Sequence, residues 1–386
     1  MPAFLTARSL LFICLTVAFW AFSFASGSQL VSLWLNSILP PETANTIIGF
    51  CHGAYYLGMA AGALATPMLM RRAGAFATVV VGLALTIVTL LPFTWTEDIW
   101  LWCVLRFVNG FGGALCVVPI ETMVSQESPP ERTTRYFAFF GVALTTGGAI
   151  GFALAPELDR FGYEAAFAVA AGAALVAIIT TVAGVRRGVE SSEGPDAAID
   201  WRKNRLSFGT AWCQGFMEGG MVAFLQLFLA ERGFGKEIAG VLMGALTIGV
   251  ILFQIPVSFL ADRWGKTPTL LACYIVAAAG LVVIPHLLDP IALATVLFAF
   301  GACTGAMYPL GYSMLSDGVD PGALPRAYAW YLVIECVGCL IGAPVAGLAR
   351  DLWGEAALFH VGLVALVAVI ILWISIREKL ATEKHG

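Results

Sequence analysis

The sequence predicts an all-helical polytopic membrane protein whose twelve transmembrane helices form two six-helix pseudo-symmetric halves. Three observations predict it. Of 386 residues, 59% are hydrophobic and only 12% charged, against about 25% charged in soluble domains, and the mean hydropathy is +0.86. Apolar stretches long enough to cross a hydrocarbon core of roughly 30 Å recur along the whole chain. Finally, residues 162–177, GYEAAFAVAAGAALVA, return 191 positions later as WGEAALFHVGLVALVA (353–368), with seven identities in sixteen places. The same offset pairs Gly49, Gly53 and Gly58 with Gly240, Gly244 and Gly249, and Arg72 and Gly74 with Arg263 and Gly265. It also pairs Arg135, Gly147 and Gly151 with Arg326, Gly338 and Gly342. An offset held across almost a half-chain marks an internal repeat, a signature of membrane transporters.

The first six spans fall at about 9–38, 45–70, 75–94, 99–125, 133–156 and 163–185. The second six fall at about 206–231, 237–261, 267–287, 290–315, 324–349 and 356–376. Each stretch approaches or exceeds the roughly 20 apolar residues that a spanning helix needs. Most connections are short and rich in turn residues, such as PPET, SPPER and LLDP. The exception is 186–205, RRGVESSEGPDAAIDWRKNR, whose polar, helix-breaking centre reads as a cytoplasmic linker. The expected organisation is therefore an N-terminal bundle (1–185), that linker, and a C-terminal bundle (206–386).

Charge placement orients the spans. With the N-terminus in the cytoplasm, sixteen of the twenty-one Lys and Arg residues face inward. Only Arg160, Arg232, Lys236 and Arg350 face out, and Arg106 lies within a span. That bias obeys the positive-inside rule and puts both termini in the cytoplasm, with a bacterial inner (plasma) membrane as the expected location. The net charge of −4 is too small for nucleic-acid binding. All nine cysteines sit in apolar stretches, and Cys336-x-x-Cys339 has no second Cys or His pair nearby, so no metal site is expected.

Local motifs then carry a resemblance. In span 4, Arg106-Phe-Val-Asn109-Gly110-Phe-Gly112-Gly113-Ala114 resembles the R-x-x-Q-G-x-G-A-A motif of the Major Facilitator Superfamily, with Asn for Gln and Gly for Ala. After span 8, Leu260-Ala-Asp262-Arg263-Trp-Gly265-Lys266 is similar to that family's L-A-D-R-x-G-R loop. The counterpart after span 2, Leu69-Met-Arg71-Arg72-Ala-Gly74, carries Arg71 in place of the acid, which leaves Asp262 as the acidic latch. Glu127-Ser-Pro129-Pro130-Glu-Arg132 resembles the family's E-x-x-P-x-x-x-R region. The pattern is most similar to a bacterial permease branch near sugar- and drug-efflux proteins. The resemblance implies alternating access between the two halves, with gating by Asp262, Arg263, Arg71, Arg72, Arg135 and Arg326. It also implies a cavity lined by spans 1, 2, 4, 5, 7, 8, 10 and 11.

Ionisable residues inside a bilayer are costly and mark pathways. Glu218 lies 12 residues into span 7, about 18 Å along its axis and near the midplane. Glu335 sits at similar depth in span 11. Arg106 enters from the outer end of span 4, and Glu121 lies near its inner end. His52 sits in the middle of span 2 beside Tyr55 and Tyr56, where an imidazole could relay protons. These five residues are the proton-coupling set. Trp20, Gln29, Tyr55, Tyr56, Asn109, Trp212, Gln214, Gln254, Tyr308, Tyr312, Trp330 and Tyr331 could surround a mid-sized amphipathic solute. No catalytic constellation and no nucleotide site is present in the sequence, so an enzyme is not expected. With no cofactor, energy would come from a proton gradient.

The expected protein is a monomeric secondary transporter of a small-molecule substrate, proton-coupled, with export favoured. Proton-coupled import of a metabolite or siderophore-like solute is the first alternative, and a transport-dead sensor the second. At offset 191, Glu218 falls opposite Gly27, Glu335 opposite Leu144, and Arg71 opposite Asp262. The acids thus lie where the repeat breaks.

Overall fold

A computed structural model describes residues 6–127, 133–184, 199–319 and 324–383. The described residues are helical apart from short turns. The helices are α1 (Ala7–Ile38), α2 (Pro41–Leu90), α3 (Ile99–Glu127), α4 (Thr133–Leu158) and α5 (Tyr163–Gly184). They continue with α6 (Arg205–Glu231), α7 (Lys236–Trp264), α8 (Lys266–Val283), α9 (Pro290–Gly318), α10 (Leu324–Trp353) and α11 (Ala357–Glu383).

Local chemistry starts and stops these helices. The Thr6 hydroxyl accepts from the Ser9 N–H at 3.2 Å and caps α1. Asp289 caps α9, accepting from the Ala292 N–H at 2.8 Å, with Pro290 following at the first helical position. Helix α2 is broken at Gly74, where φ is +80° and ψ 158°. An L side chain would resist that conformation, so glycine turns one continuous apolar run into two limbs. Gly265, with φ +96°, performs the same break between α7 and α8, and it is the residue 191 positions on.

Among the described residues, nine helices are long and apolar enough to cross a membrane. Counting both limbs of α2 separately and adding the shorter apolar helices Glu237–Phe253 and Ala357–Trp373 gives twelve spans. Large apolar side chains such as Leu64, Val88, Leu252 and Val364 are exposed on helix faces, as a hydrocarbon solvent requires.

The chain forms two compact units. The first comprises Met1–Glu193 with Phe234–Gly244, and the second Gly194–Gly233 with Ala245–Gly386. Inside the first, α1 packs on α4 and α5, and α2 on α3. A methyl group at Gly147 would collide with the Ala18 carbonyl, and one at Gly151 with that of Phe22, so α1 and α4 touch backbone to backbone. Glycines 58 and 110 do the same between α2 and α3, against the carbonyls of Phe107 and Tyr55.

The second unit repeats both contacts. Gly249 meets the Phe298 carbonyl and Gly301 that of Leu246, each residue displaced by 191 from its counterpart. Gly338 meets Trp212 and Gly342 meets Phe216. Here the glycines are displaced by 191 but their partners on α6 by 194. Helix α6 therefore sits three residues out of the register that the sequence offset suggests. Glu218 occupies the place of Phe24, which corrects its alignment with Gly27. The reason is chain length: 40 residues separate Ala18 from Gly58, but only 37 separate Trp212 from Gly249.

Candidate functional site

In the first unit, polar side chains on three helices converge on Arg106. Arg106 as a whole is 2% exposed. It donates to Ser28 Oγ on α1 at 3.3 Å and to Asn109 Oδ1 one turn along α3 at 3.4 Å. Its Cζ lies 4.4 Å from the centre of the Tyr55 ring on α2. Asn109 is itself held by its Nδ2, which donates to Thr89 Oγ1 at 2.9 Å and to the Thr86 carbonyl at 3.5 Å. Gly113 leaves the space that Tyr55 and Trp20 occupy, because a Cβ there would lie 2.9 Å from the Tyr55 hydroxyl. The motif glycines and Asn109 thus build a socket for the arginine.

His52 is fully buried, and its Nε2 lies 2.8 Å from Ser32 Oγ while Nδ1 has no hydrogen-bond partner. Tyr55 meets Tyr56 edge to face at 5.4 Å. Tyr55 also stacks on Phe24 at 5.1 Å, which stacks on Trp20 at 5.9 Å. Gln29 is buried in the same helix, α1. The structure therefore gathers His52, Tyr55, Tyr56, Trp20, Asn109 and Arg106 into one neighbourhood. Ser28, Ser32, Thr86 and Thr89 complete it, and sequence reasoning missed them. Their signal was weak: Ser28 and Ser32 stand four apart on one face of an apolar helix.

In the second unit, α6 and α10 run side by side in the same direction. Gly215 abuts the Glu335 carbonyl and Gly219 that of Cys339. Glu335 is thus level with Gly215, and Glu218 lies three residues farther along, about 4.5 Å on the helix axis. Tyr308, Tyr312 and Tyr331 form a three-ring cluster with centroids 5.1–5.8 Å apart, and the Tyr331 hydroxyl donates to the Tyr308 carbonyl at 3.2 Å. Trp212 packs on Phe216 at 5.3 Å. Gln214 carries a buried Oε1 without a partner among the described residues. Trp330 stands apart, edge-on to Trp201 at 5.6 Å near the start of α10.

The loop residues fall elsewhere. Arg71 and Arg72 are exposed at the end of the first α2 limb, and Arg263 is exposed at the end of α7. Glu121 is partly exposed near the end of α3. The side chains of Arg135, Gln254, Asp262 and Arg326 lie outside the described residues. One contact here was not foreseen: Lys266 donates to Asp317 Oδ2 at 2.6 Å and to the Ser313 carbonyl at 3.2 Å, tying α8 to α9.

Comparison with known proteins fits this architecture. The sequence profile of the Major Facilitator Superfamily matches residues 9–229 and again 207–386. The chain is 22% identical over 322 residues to the uncharacterized MFS-type transporter YfkF of Bacillus subtilis (strain 168), covering 80% of this chain and 82% of that one. It is 24% identical over 365 residues to the uncharacterized MFS-type transporter YcaD of Salmonella enteritidis PT4, covering 91% of each. Among solved structures, a D-xylose–proton symporter superposes with a TM-score of 0.75 at 13% identity, over 94% of this chain and 96% of that one. The nucleoside transporter NupG (D323A mutant) gives 0.71 at 14% identity, over 95% and 99%. The chain belongs to the Major Facilitator Superfamily and is a multi-pass secondary transporter, not an enzyme.

Proposed function

We propose that this protein moves a small organic solute by alternating access of its two units, coupled to protons, with Glu218 and Glu335 carrying the coupling. The observation behind this reading is that two acidic residues lie at nearly the same level of two helices in backbone contact, offset by about 4.5 Å along the axis. Ionised carboxylates inside a bilayer are costly, so each of these acids is a place where a proton can bind. A site that alternates between wet and dry surroundings can bind that proton on one side and release it on the other. The proposed setting is a bacterial inner membrane, with both termini cytoplasmic, the protein monomeric and the proton gradient as its energy source. Arg71, Arg72, Asp262, Arg263, Arg135 and Arg326 are the proposed gating residues at the inner face.

Export is the favoured direction because of the motif around Arg106. Proton-coupled import is the second reading, favoured by the presence of both midplane acids in one unit. A thermal-shift screen of metabolites, sugars and drugs identifies a usable solute, since a ligand at 100 times its dissociation constant adds about 2.7 kcal/mol. Flux of that solute is then measured in proteoliposomes under imposed pH gradients. Acceleration by a proton gradient opposed to the solute assigns export, and acceleration by a parallel one assigns import. Glu218→Gln should abolish the response to pH while sparing solute exchange. Flux indifferent to both the gradient and the substitution would remove proton coupling.

A further inference from the structure

Two arginines are buried among the described residues, Arg106 and Arg350, and they are satisfied in opposite ways. Arg350 reaches both oxygens of Glu231 at 2.8 and 2.7 Å and the Glu355 carbonyl at 3.0 Å. That arrangement neutralises the guanidinium, as a structural ion pair must. Arg106 has no such partner: no carboxylate pairs with it among the described residues. Its two contacts, at 3.3 and 3.4 Å, lie at the long end for hydrogen bonds and go to a neutral hydroxyl and a neutral amide. Its Nε is buried without an acceptor. A guanidinium keeps its charge and five donors under all ordinary conditions. A tyrosine face softens burial but does not replace a counter-ion.

The surroundings point the same way. His52 leaves Nδ1 buried and without a partner one turn from Tyr55. An aromatic ladder runs away from the guanidinium: Tyr55 at 4.4 Å, then Phe24 stacked at 5.1 Å, then Trp20 at 5.9 Å. Phe24 is partly exposed. Among the described residues the first unit therefore keeps, side by side, a cation without a counter-ion and a stack of rings.

We infer that the first unit recognises the carboxylate of an aromatic organic anion, with Arg106 as the charge clamp and the Trp20–Phe24–Tyr55 ladder as the platform for its ring. The inference rests on the chain being a transporter of small organic solutes, and it names the class. It assigns Arg106 to solute recognition and leaves proton handling to the second unit. Arginine suits this task better than lysine because its planar fork can take both carboxylate oxygens at once.

The test uses the full-length protein in detergent with benzoate, phenylacetate and indole-3-acetate, each paired with its neutral amide. The readouts are thermal midpoint and quenching of tryptophan emission. At least one carboxylate should bind saturably while its amide does not. Arg106→Lys should weaken that binding about tenfold or more, because a point charge replaces a bidentate fork. Arg106→Gln should abolish it, and Arg106→Lys alone decides if the glutamine variant does not fold. The assignment is overturned if no carboxylate binds better than its amide, or if binding survives Arg106→Lys unchanged. No proton gradient enters these measurements, so their failure would leave proton-coupled transport standing. Loss of coupling in Glu218→Gln with carboxylate binding intact would sink only the coupling.

Discussion

Arg350 shows what a satisfied membrane arginine requires. It closes a network at the ends of α6 and α10, in which Glu231 takes its charge and the α10–α11 turn supplies the Glu355 carbonyl. Arg232 pairs with the Glu355 carboxylate, so two arginines and two glutamates pin three helix ends. Removing one partner from such a pair strands the other charge. Glu231→Gln should therefore lower the stability of the purified protein by about 2 kcal/mol, less than for a fully buried pair because Glu231 is 36% exposed. Replacing both residues, as in Glu231→Gln with Arg350→Met, should recover part of the loss. Thermal unfolding in detergent reads both, and a neutral Glu231→Gln would show that the pair is ornamental. At this scale the sequence identified Arg106, Glu218 and Glu335 as improbable charges in apolar helices. It gave no sign that Arg350 is buried, because position 350 reads as an ordinary basic residue in a short loop.

At the scale of elements, glycine spacing decides which helices touch. Gly58 and Gly249 occupy equivalent places, each against a carbonyl of the neighbouring helix. Valine at either position should force the pair apart and cost about 1–3 kcal/mol, with similar losses in the two units. Thermal melts of Gly58→Val and Gly249→Val make the comparison, and a neutral result at one site would break the equivalence. The three-residue slip of α6 belongs here as well. Apolar residues substitute for one another so freely that a helix can slide a turn without disturbing the hydropathy pattern. The offset of 191 was read from glycines on α2, α4, α7 and α10, whose contacts keep it. Helix α6 carries Gly215 and Gly219 where α1 carries Ala21 and Ala25, so only the observed contacts reveal its register.

For the whole molecule, the proposed mechanism needs the orientation that the distribution of basic residues predicts, with both termini cytoplasmic. A fluorescent protein fused after Gly386 should fold and emit, whereas alkaline phosphatase fused there should stay inactive. Phosphatase inserted at Asp289, in a loop the proposed orientation places outside, should be active. The reverse pattern would invert the orientation and move every proposed inner-face residue to the other side.

The sequence by itself determined the class of this protein. Twelve apolar stretches, a constant repeat offset and a one-sided distribution of basic residues leave no soluble alternative, because hydropathy and backbone hydrogen bonding restrict so strongly what can cross a bilayer. It also exposed the expensive charges, since a carboxylate or guanidinium stands out in an apolar run. Tertiary structure decided what those charges meet. Arg350 finds Glu231, 119 residues away, while among the described residues Arg106 finds Ser28, Asn109 and the face of Tyr55. Such pairings depend on which helix faces come together, and helix packing follows small-residue contacts and register that a string of apolar letters does not record.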